Sequence, residues 1–152
     1  MGGGSREQGT GKREQGIGNR EQGRVNEAAA ETDMSAIASH RDLIVWQKAM
    51  DLVVEVYRLT SCFPRTETYR LIDQVTRSAV SVPANIAEGN ARGTTKDYAH
   101  FLSIAKGSLM ETETFLMLAV RLTYLTGDQA ECAFGLIVEV SKMLTAIRQK
   151  LL

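Results

Sequence analysis

From residue 42 onward the chain reads as four runs of apolar residues at helical spacing, separated by helix breakers. In the first, over residues 42–60, Leu43, Trp46, Met50, Val53 and Tyr57 follow a 3-4-3-4 rhythm that lines one face. Val45, Ala49, Leu52, Val56 and Leu59 form a second stripe beside it. A helix in a lone bundle needs one apolar stripe, so two predict packing against another subunit. Pro64 ends the helix, because the residue before a proline avoids helical angles. The second run predicts a helix over residues 66–88 with Gly89 as its C-terminal cap. At about 100° per residue, Leu71, Ile72, Val75, Ala79, Val82 and Ile86 fall in one arc about 100° wide. Pro83 lies inside this pattern and removes the bond to the Ala79 carbonyl, which predicts a kink rather than a break. The third helix begins near Thr94, whose hydroxyl caps while Asp97 supplies the acidic group three residues on. Phe101, Ala105, Leu109, Phe115, Ala119 and Leu122 carry it to Leu125, and Gly127 closes it. Asp128 and Glu131 repeat the cap for a fourth helix, where Ile137, Val140, Leu144, Ile147 and Leu151 keep the 3-4-3-4 spacing. Short loops force consecutive helices antiparallel. The expected fold is all-α, an up-down-up-down antiparallel four-helix bundle over residues 40–152.

Residues 1–39 carry no such pattern. Arg-Glu-Gln-Gly recurs at Arg6–Gly9, Arg13–Gly16 and Arg20–Gly23. A period of seven suggests a coiled coil, but Ile17 is the only large apolar residue within the repeats and glycine recurs in every unit. Such a segment cannot bury enough apolar surface to offset its ordering entropy, so a disordered low-complexity tail is expected. A seven-codon period also fits a short tandem DNA repeat read in frame, with Met34 as the true start. The alternative is a binding arm, which the five basic and six acidic residues of segment 1–33 argue against.

Charge then narrows the function classes. Eighteen basic residues balance 18 acidic ones, so no long-range field draws in nucleic acid or a membrane. No stretch approaches the roughly 18 uninterrupted apolar residues of a membrane span, and the Gly-rich N-terminus lacks the apolar core of a signal peptide. A cytoplasmic protein without membrane contact is expected. In that compartment Cys62 and Cys132 stay reduced, and although both fall near one end of the bundle they read as small buried hydrophobes.

Catalytic chemistry is sparse. His40 and His100 fall near one end, with Glu88 and Asp97 as companions, yet no metal-binding spacing of His, Cys or Glu is present. No serine sits in a nucleophile-elbow sequence and no phosphate-binding glycine loop occurs. Gly107-Ser108 reads as a point where two helices approach closely. The expectation is no enzyme, no metal and no cofactor. Two surface features remain. Along the second helix Gln74, Arg77, Ser78, Ser81, Asn85 and Glu88 make a polar stripe about 125° from the apolar one. It reads as a solvated face or as groups bonded to a neighbouring helix; the sharper reading is a subunit or ligand contact in which Arg77 and Glu88 pair across an interface.

Here the sequence resembles a known family. Leu43-Ile44-Val45-Trp46-Gln47-Lys48-Ala49, Gln74 and the run Ala79-Val80-Ser81-Val82-Pro83-Ala84-Asn85-Ile86-Ala87-Glu88-Gly89 are similar to the four-helix-bundle family of 23S rRNA intervening-sequence proteins. Gly107-Ser108-Leu109, Glu111, Glu113 and Tyr124-Leu125 continue the likeness, which is strong over residues 40–126 and weak through the fourth helix. The resemblance implies a small bacterial bundle protein that assembles as a ring-like homopentamer. Members of that family occur within intervening sequences of large-subunit rRNA genes and as stand-alone genes, with no established enzymatic activity. A distant relative, the accessory protein of diversity-generating retroelements, is a strongly basic pentamer that binds nucleic acid and a reverse transcriptase. Association with RNA or a ribonucleoprotein is therefore expected by analogy.

The chain departs from that pattern in places. Residues 41–152 hold 13 basic and 12 acidic side chains, a poor balance for binding phosphates. Thr76 stands where the family often has a second arginine, and Thr112 and Phe115 where Leu and Gln are usual. One local feature runs the other way. The start of the first helix, the second loop and the end of the fourth helix share one end of such a bundle. That end gathers Arg41, Arg92, Lys96, Arg148 and Lys150 against Asp42, Glu88 and Asp97. Five copies around a ring would enlarge this basic rim; Arg148 and Lys150 equally complement the helix dipole. Three readings follow: a non-enzymatic homopentamer associated with RNA or a ribonucleoprotein, a pentameric scaffold for protein partners, or a small-molecule binder or enzyme.

Overall fold

The computed structural model describes residues 39–152. The expectations for the tail and for a start at Met34 lie outside the described residues. Four helices fill most of the span: α1 Ile44–Thr60, α2 Leu71–Ala91, α3 Thr95–Arg121 and α4 Gly127–Leu151. Single 3-10 turns at His40–Asp42 and Arg65–Glu67 precede α1 and α2, and no strand occurs among the described residues. Both α1 and α3 pack on α2 and α4, while the diagonal pairs do not meet. That is the up-down-up-down bundle expected from the periodicity.

Of the two α1 stripes, the core takes Val45, Ala49, Leu52, Val56 and Leu59, each at most 2% exposed. The other keeps Met50 and Tyr57 at the surface, with Trp46 and Val53 half-buried. In α3 the core row is Leu102, Ala105, Leu109, Thr112, Leu116 and Ala119, again in 3-4 alternation. Each large apolar side chain so buried stabilises by about 1.5–3 kcal/mol relative to exposure.

Several boundaries differ from those read off the sequence. α2 begins at Leu71, not residue 66, because Arg65–Glu67 closes into a separate 3-10 turn after Pro64. Glu67 then turns inward, and its buried carboxylate accepts the Leu71 N–H at 3.2 Å and the Tyr124 hydroxyl at 3.0 Å. The helix runs through a buried Pro83 without a break. It continues past Gly89 to Ala91, so Gly89 is not a cap but an internal residue buried against α3. A Cβ there would lie 2.7 Å from Phe101 Cβ and 3.0 Å from the Tyr98 ring. Only a glycine lets the two helices close to that distance.

The Thr94 cap is as expected: its hydroxyl accepts the Asp97 N–H at 3.1 Å. The end of α3 is not. The helix stops at Arg121, and Thr123, with φ 62°, takes the left-handed place usually held by glycine. Tyr124 N–H then bonds the Ala119 carbonyl and Thr123 N–H the Val120 carbonyl, a Schellman closure without glycine. Gly127 instead opens α4, where Thr126 and Gln129, rather than Asp128 and Glu131, form the capping box. Both cysteines are exposed, Cys62 in the turn after α1 and Cys132 on the outer side of α4, which overturns their reading as buried hydrophobes.

Two backbone substitutions are expected to act with opposite signs. Gly89→Ala should destabilise by about 1–3 kcal/mol through overpacking, and Thr123→Gly should stabilise by about 1 kcal/mol by relieving the left-handed strain. Urea midpoints measure both, and a Gly89→Ala protein as stable as the parent would contradict the close approach. The tyrosines set an alkaline limit. The bond to Glu67 raises the Tyr124 phenol above its ordinary value, and burial raises Tyr98 against a smaller opposing effect of Asn90. Among the described residues the Tyr98 hydroxyl has no hydrogen-bond partner in good geometry. Both phenols are protonated more firmly in the folded chain than in the unfolded one. Their stabilisation is complete below pH about 10 and is lost as pH rises through their elevated folded values. The urea midpoint should therefore fall more steeply above that pH in the parent than in the Tyr98→Phe, Tyr124→Phe double variant.

Candidate functional site

The polar stripe of α2 divides into two parts. Its inner part is a hydroxyl ladder to α3. The Thr112 hydroxyl, fully buried, lies 2.9 Å from both the Ser78 hydroxyl and the Ser108 carbonyl. One turn on, the Ser81 and Ser108 hydroxyls meet at 2.9 Å, and Asn85 donates to the Ser81 carbonyl at 2.8 Å and hydroxyl at 2.9 Å. Thr112 thus brings a hydroxyl to the place opposite Ser78. The outer part, Gln74, Arg77 and Glu88, is exposed. Arg77 pairs with Asp73 at 3.1 Å and Glu88 with Arg92 at 2.7 Å, both one turn away on α2 or its end. Within one chain Arg77 and Glu88 are not brought together.

The basic rim residues Arg41, Arg92, Lys96, Arg148 and Lys150 are all exposed. They sit in the turn before α1, after α2, in the first turn of α3 and in the last turns of α4, which the topology gathers at one end. Arg92 is engaged twice, with Glu88 and with the Phe101 ring 4.9 Å beneath its guanidinium. Among the described residues the other four have no carboxylate within ion-pair distance. His40 packs on Trp46 at 5.2 Å and His100 on Phe101 at 5.7 Å, contacts between rings. No group of three or more His, Cys, Asp or Glu among the described residues is placed to hold a metal ion. No described helix is long and apolar enough to cross a membrane.

Two features were missed in the sequence. First, α3, like α1, carries a second heptad row one residue from its core row: Phe101, Ile104, Ser108, Glu111, Phe115, Leu118 and Leu122. Ile104, Leu118 and Leu122 are about two-fifths exposed, as is Met50 on α1, where Val54 and Tyr57 are more than half exposed. Ser108 of the α3 row bonds to α2, and Trp46 of the α1 row meets the His40 turn, which itself packs on α2. Lys48, across α1, pairs instead with Glu139 of α4. Both extra rows therefore flank α2. A second heptad row was legible in α3 by counting, but its apolar members are interrupted by Ser108 and Glu111.

Second, a groove of about 300 Å³ runs between α3 and α4, walled by Lys106 and Arg148. Lys106 carries no signal in the sequence because its partner lies far along the chain: its ammonium donates to the Thr145 hydroxyl at 2.6 Å. Gly107 opens onto this groove, and a Cβ there would meet nothing within 4 Å. Gly107 is therefore not the point of close helix approach expected from the sequence; Gly89 is.

A family model described as 23S rRNA-intervening sequence protein matches residues 41–146. A solved crystal structure of a protein with unknown function from the S23 ribosomal protein family of Bacteroides thetaiotaomicron VPI-5482 is similar at TM-score 0.64 and 28% identity. The match covers 69% of this chain and 98% of that one. No curated protein matches.

The ladder has a measurable signature. Ser78→Ala and Thr112→Val should each cost about 1–2 kcal/mol, since each strands a buried hydroxyl partner, whereas the double variant should cost less than their sum. Additive losses in urea unfolding would mean that the two hydroxyls do not bond to each other.

Proposed function

The chain belongs to the 23S rRNA-intervening sequence protein family, and we propose that it acts without catalysis, as a homo-oligomeric ring that associates with RNA or a ribonucleoprotein. The carrying observation is the pair of extra heptad rows on α1 and α3. Single exposed hydrophobes are ordinary, but rows at coiled-coil spacing are the pattern of helices that pack on two sides. The rows lie on two different flanks of α2, which favours a heterologous contact, the α1 row of one copy against the α3 row of the next. A contact of that kind closes into a ring when the rotation permits. The pentameric number comes from the family resemblance. The exposed cations Arg41, Lys96, Arg148 and Lys150 at one end support the RNA association, because repetition around a ring multiplies a small local excess. The second reading, a pentameric scaffold for protein partners, keeps the rows and dispenses with the rim; the near-neutral charge of residues 41–152 favours it.

Light scattering of the full chain after size exclusion, with absorbance at 260 and 280 nm on the same peak, tests both halves. The expected result is a multiple of the 16.7 kDa chain mass carrying excess 260 nm absorbance. Tyr57→Glu and Leu118→Glu should each give monomers, and a mixture of the two should give dimers, since one α1 row and one α3 row remain intact between them. An assembly that survives either substitution counts against the ring. Arg92→Glu, Lys96→Glu should leave the assembly intact while weakening RNA binding. A clean protein peak that binds no RNA would favour the scaffold.

A further inference from the structure

We infer that the α3–α4 groove is a binding site for a nucleoside phosphate. The inference deepens the RNA reading above but rests on a different part of the molecule from the ring contacts. The lining is Leu102, Ser103, Lys106, Gly107 and Met110 from α3, and Leu144, Thr145, Arg148 and Gln149 from α4. Two of these are cations, one on each wall, and none is an acid. Buried Leu102 and Leu144 with the exposed Met110 give the floor an apolar surface.

Two features separate this groove from an ordinary gap between helices. The first is the state of Lys106. Its side chain is half-buried and held by the Thr145 hydroxyl, which in turn donates to the Ser141 carbonyl at 3.0 Å. An ammonium has three donors, so two remain for a ligand while the third fixes its position. Arg148, on the α4 wall of the same groove, carries a planar fork suited to phosphate oxygens. The second feature is Gly107, mid-helix in α3. Glycine is a poor helix former, and Gly89 repays that cost by letting α2 and α3 approach closely. Gly107 has no such neighbour, and what its missing side chain leaves open is this groove. Gly135 in α4 is equally free of contacts but does not line the groove, so the glycine carries weight only together with the cations.

A phosphate set between Lys106 and Arg148 would neutralise both walls. The sugar and base attached to it would lie along Leu102, Met110 and Leu144, with Gln149 able to donate or accept and the Ser103 hydroxyl, which already donates to the Ala99 carbonyl, able to accept. The site takes that chemistry from either of two sources, a free mononucleotide or one nucleotide of a single-stranded RNA.

The test uses the full chain and two probes, uridine monophosphate and a fluorescent single-stranded oligouridylate, read by chemical shifts and by anisotropy. Gly107→Leu fills the groove with a better helix former and leaves the charge unchanged, so lost binding is not confused with lost folding. It should weaken both probes about tenfold or more while the melting temperature holds or rises. Lys106→Gln should lower the slope of log affinity against log salt by about 1. Lys142→Gln, an exposed α4 lysine outside the groove, should change neither by comparison. If the parent binds oligouridylate and Gly107→Leu binds it equally well, the groove proposal fails and the RNA reading stands. If the mononucleotide shifts groove resonances but no RNA binds, the groove stands and the RNA reading fails. Binding of neither probe overturns both.

Discussion

The close approach of α2 and α3 is the constraint on which the rest of the bundle depends. Gly89 sits where any Cβ would meet the Phe101 side chain at 2.7 Å. Farther along, the same two helices exchange hydroxyl contacts through Ser78, Thr112, Ser81 and Ser108. These contacts fix both the separation and the register of the pair. Once they are fixed, the core row of α3 faces inward, and Ser108, one residue from that row, turns toward α2. Buried hydroxyls tolerate little slippage, since a displaced one loses its partner at a cost of about 1–3 kcal/mol. α2 must also pass through Pro83 as one helix, or Gly89 and Ser78 could not engage the same neighbour.

Much of this was legible in the sequence. Apolar spacing located four helices, placed Val75, Ala79, Val82 and Ile86 in the core, and identified Thr94 as a cap. Several of the failures share a cause: they concern residues whose role is set by something distant in the chain. Gly89 resembled a C-cap because glycine after a helical run usually is one; its actual constraint is Phe101. α3 was carried too far because its stop relies on Thr123, a β-branched residue in a left-handed conformation that sequence rules reserve for glycine or asparagine. Glu67 looked like part of a first helical turn, yet it is drawn inward by Tyr124. The polar stripe was located residue by residue, but its division into an inner ladder and an outer surface depended on what α3 placed opposite. Lys106 could not be read at all without the register between α3 and α4.

Thr123 and Glu67 belong to one arrangement. The strained residue stands immediately before Tyr124, whose ring packs on Phe63 at 5.7 Å while its hydroxyl reaches Glu67. The strain at Thr123 is thus offset by a contact that ties the α1–α2 connection to the α3–α4 connection. Among the described residues the opposite end has no comparable clasp. There Arg92 bridges the exposed Glu88 and the half-buried Phe101 ring, and exposed ion pairs contribute only about 0–1 kcal/mol. One end of the bundle is closed by Glu67 and Phe63 with Tyr124, and the other presents five exposed cations, of which only Arg92 has a carboxylate partner among the described residues.

The extra heptad rows and the groove occupy different sides of α3. Ile104, Ser108 and Leu118 lie on its α2 side, whereas Ser103, Lys106, Gly107 and Met110 face α4. A ring built from the rows would cover the flanks of α2 and leave every α3–α4 groove open. Assembly and ligand binding then do not compete for surface. Each subunit would bring one groove, with Arg148 belonging both to the groove and to the basic end. This geometry favours repeated weak contacts over a single tight one. Modest affinity at each groove multiplies when several engage one strand, because each later contact is made at the high effective concentration set by the first. A chain with only one excess positive charge over residues 41–152 need not be strongly basic to hold RNA, provided that its cations are few, fixed and repeated.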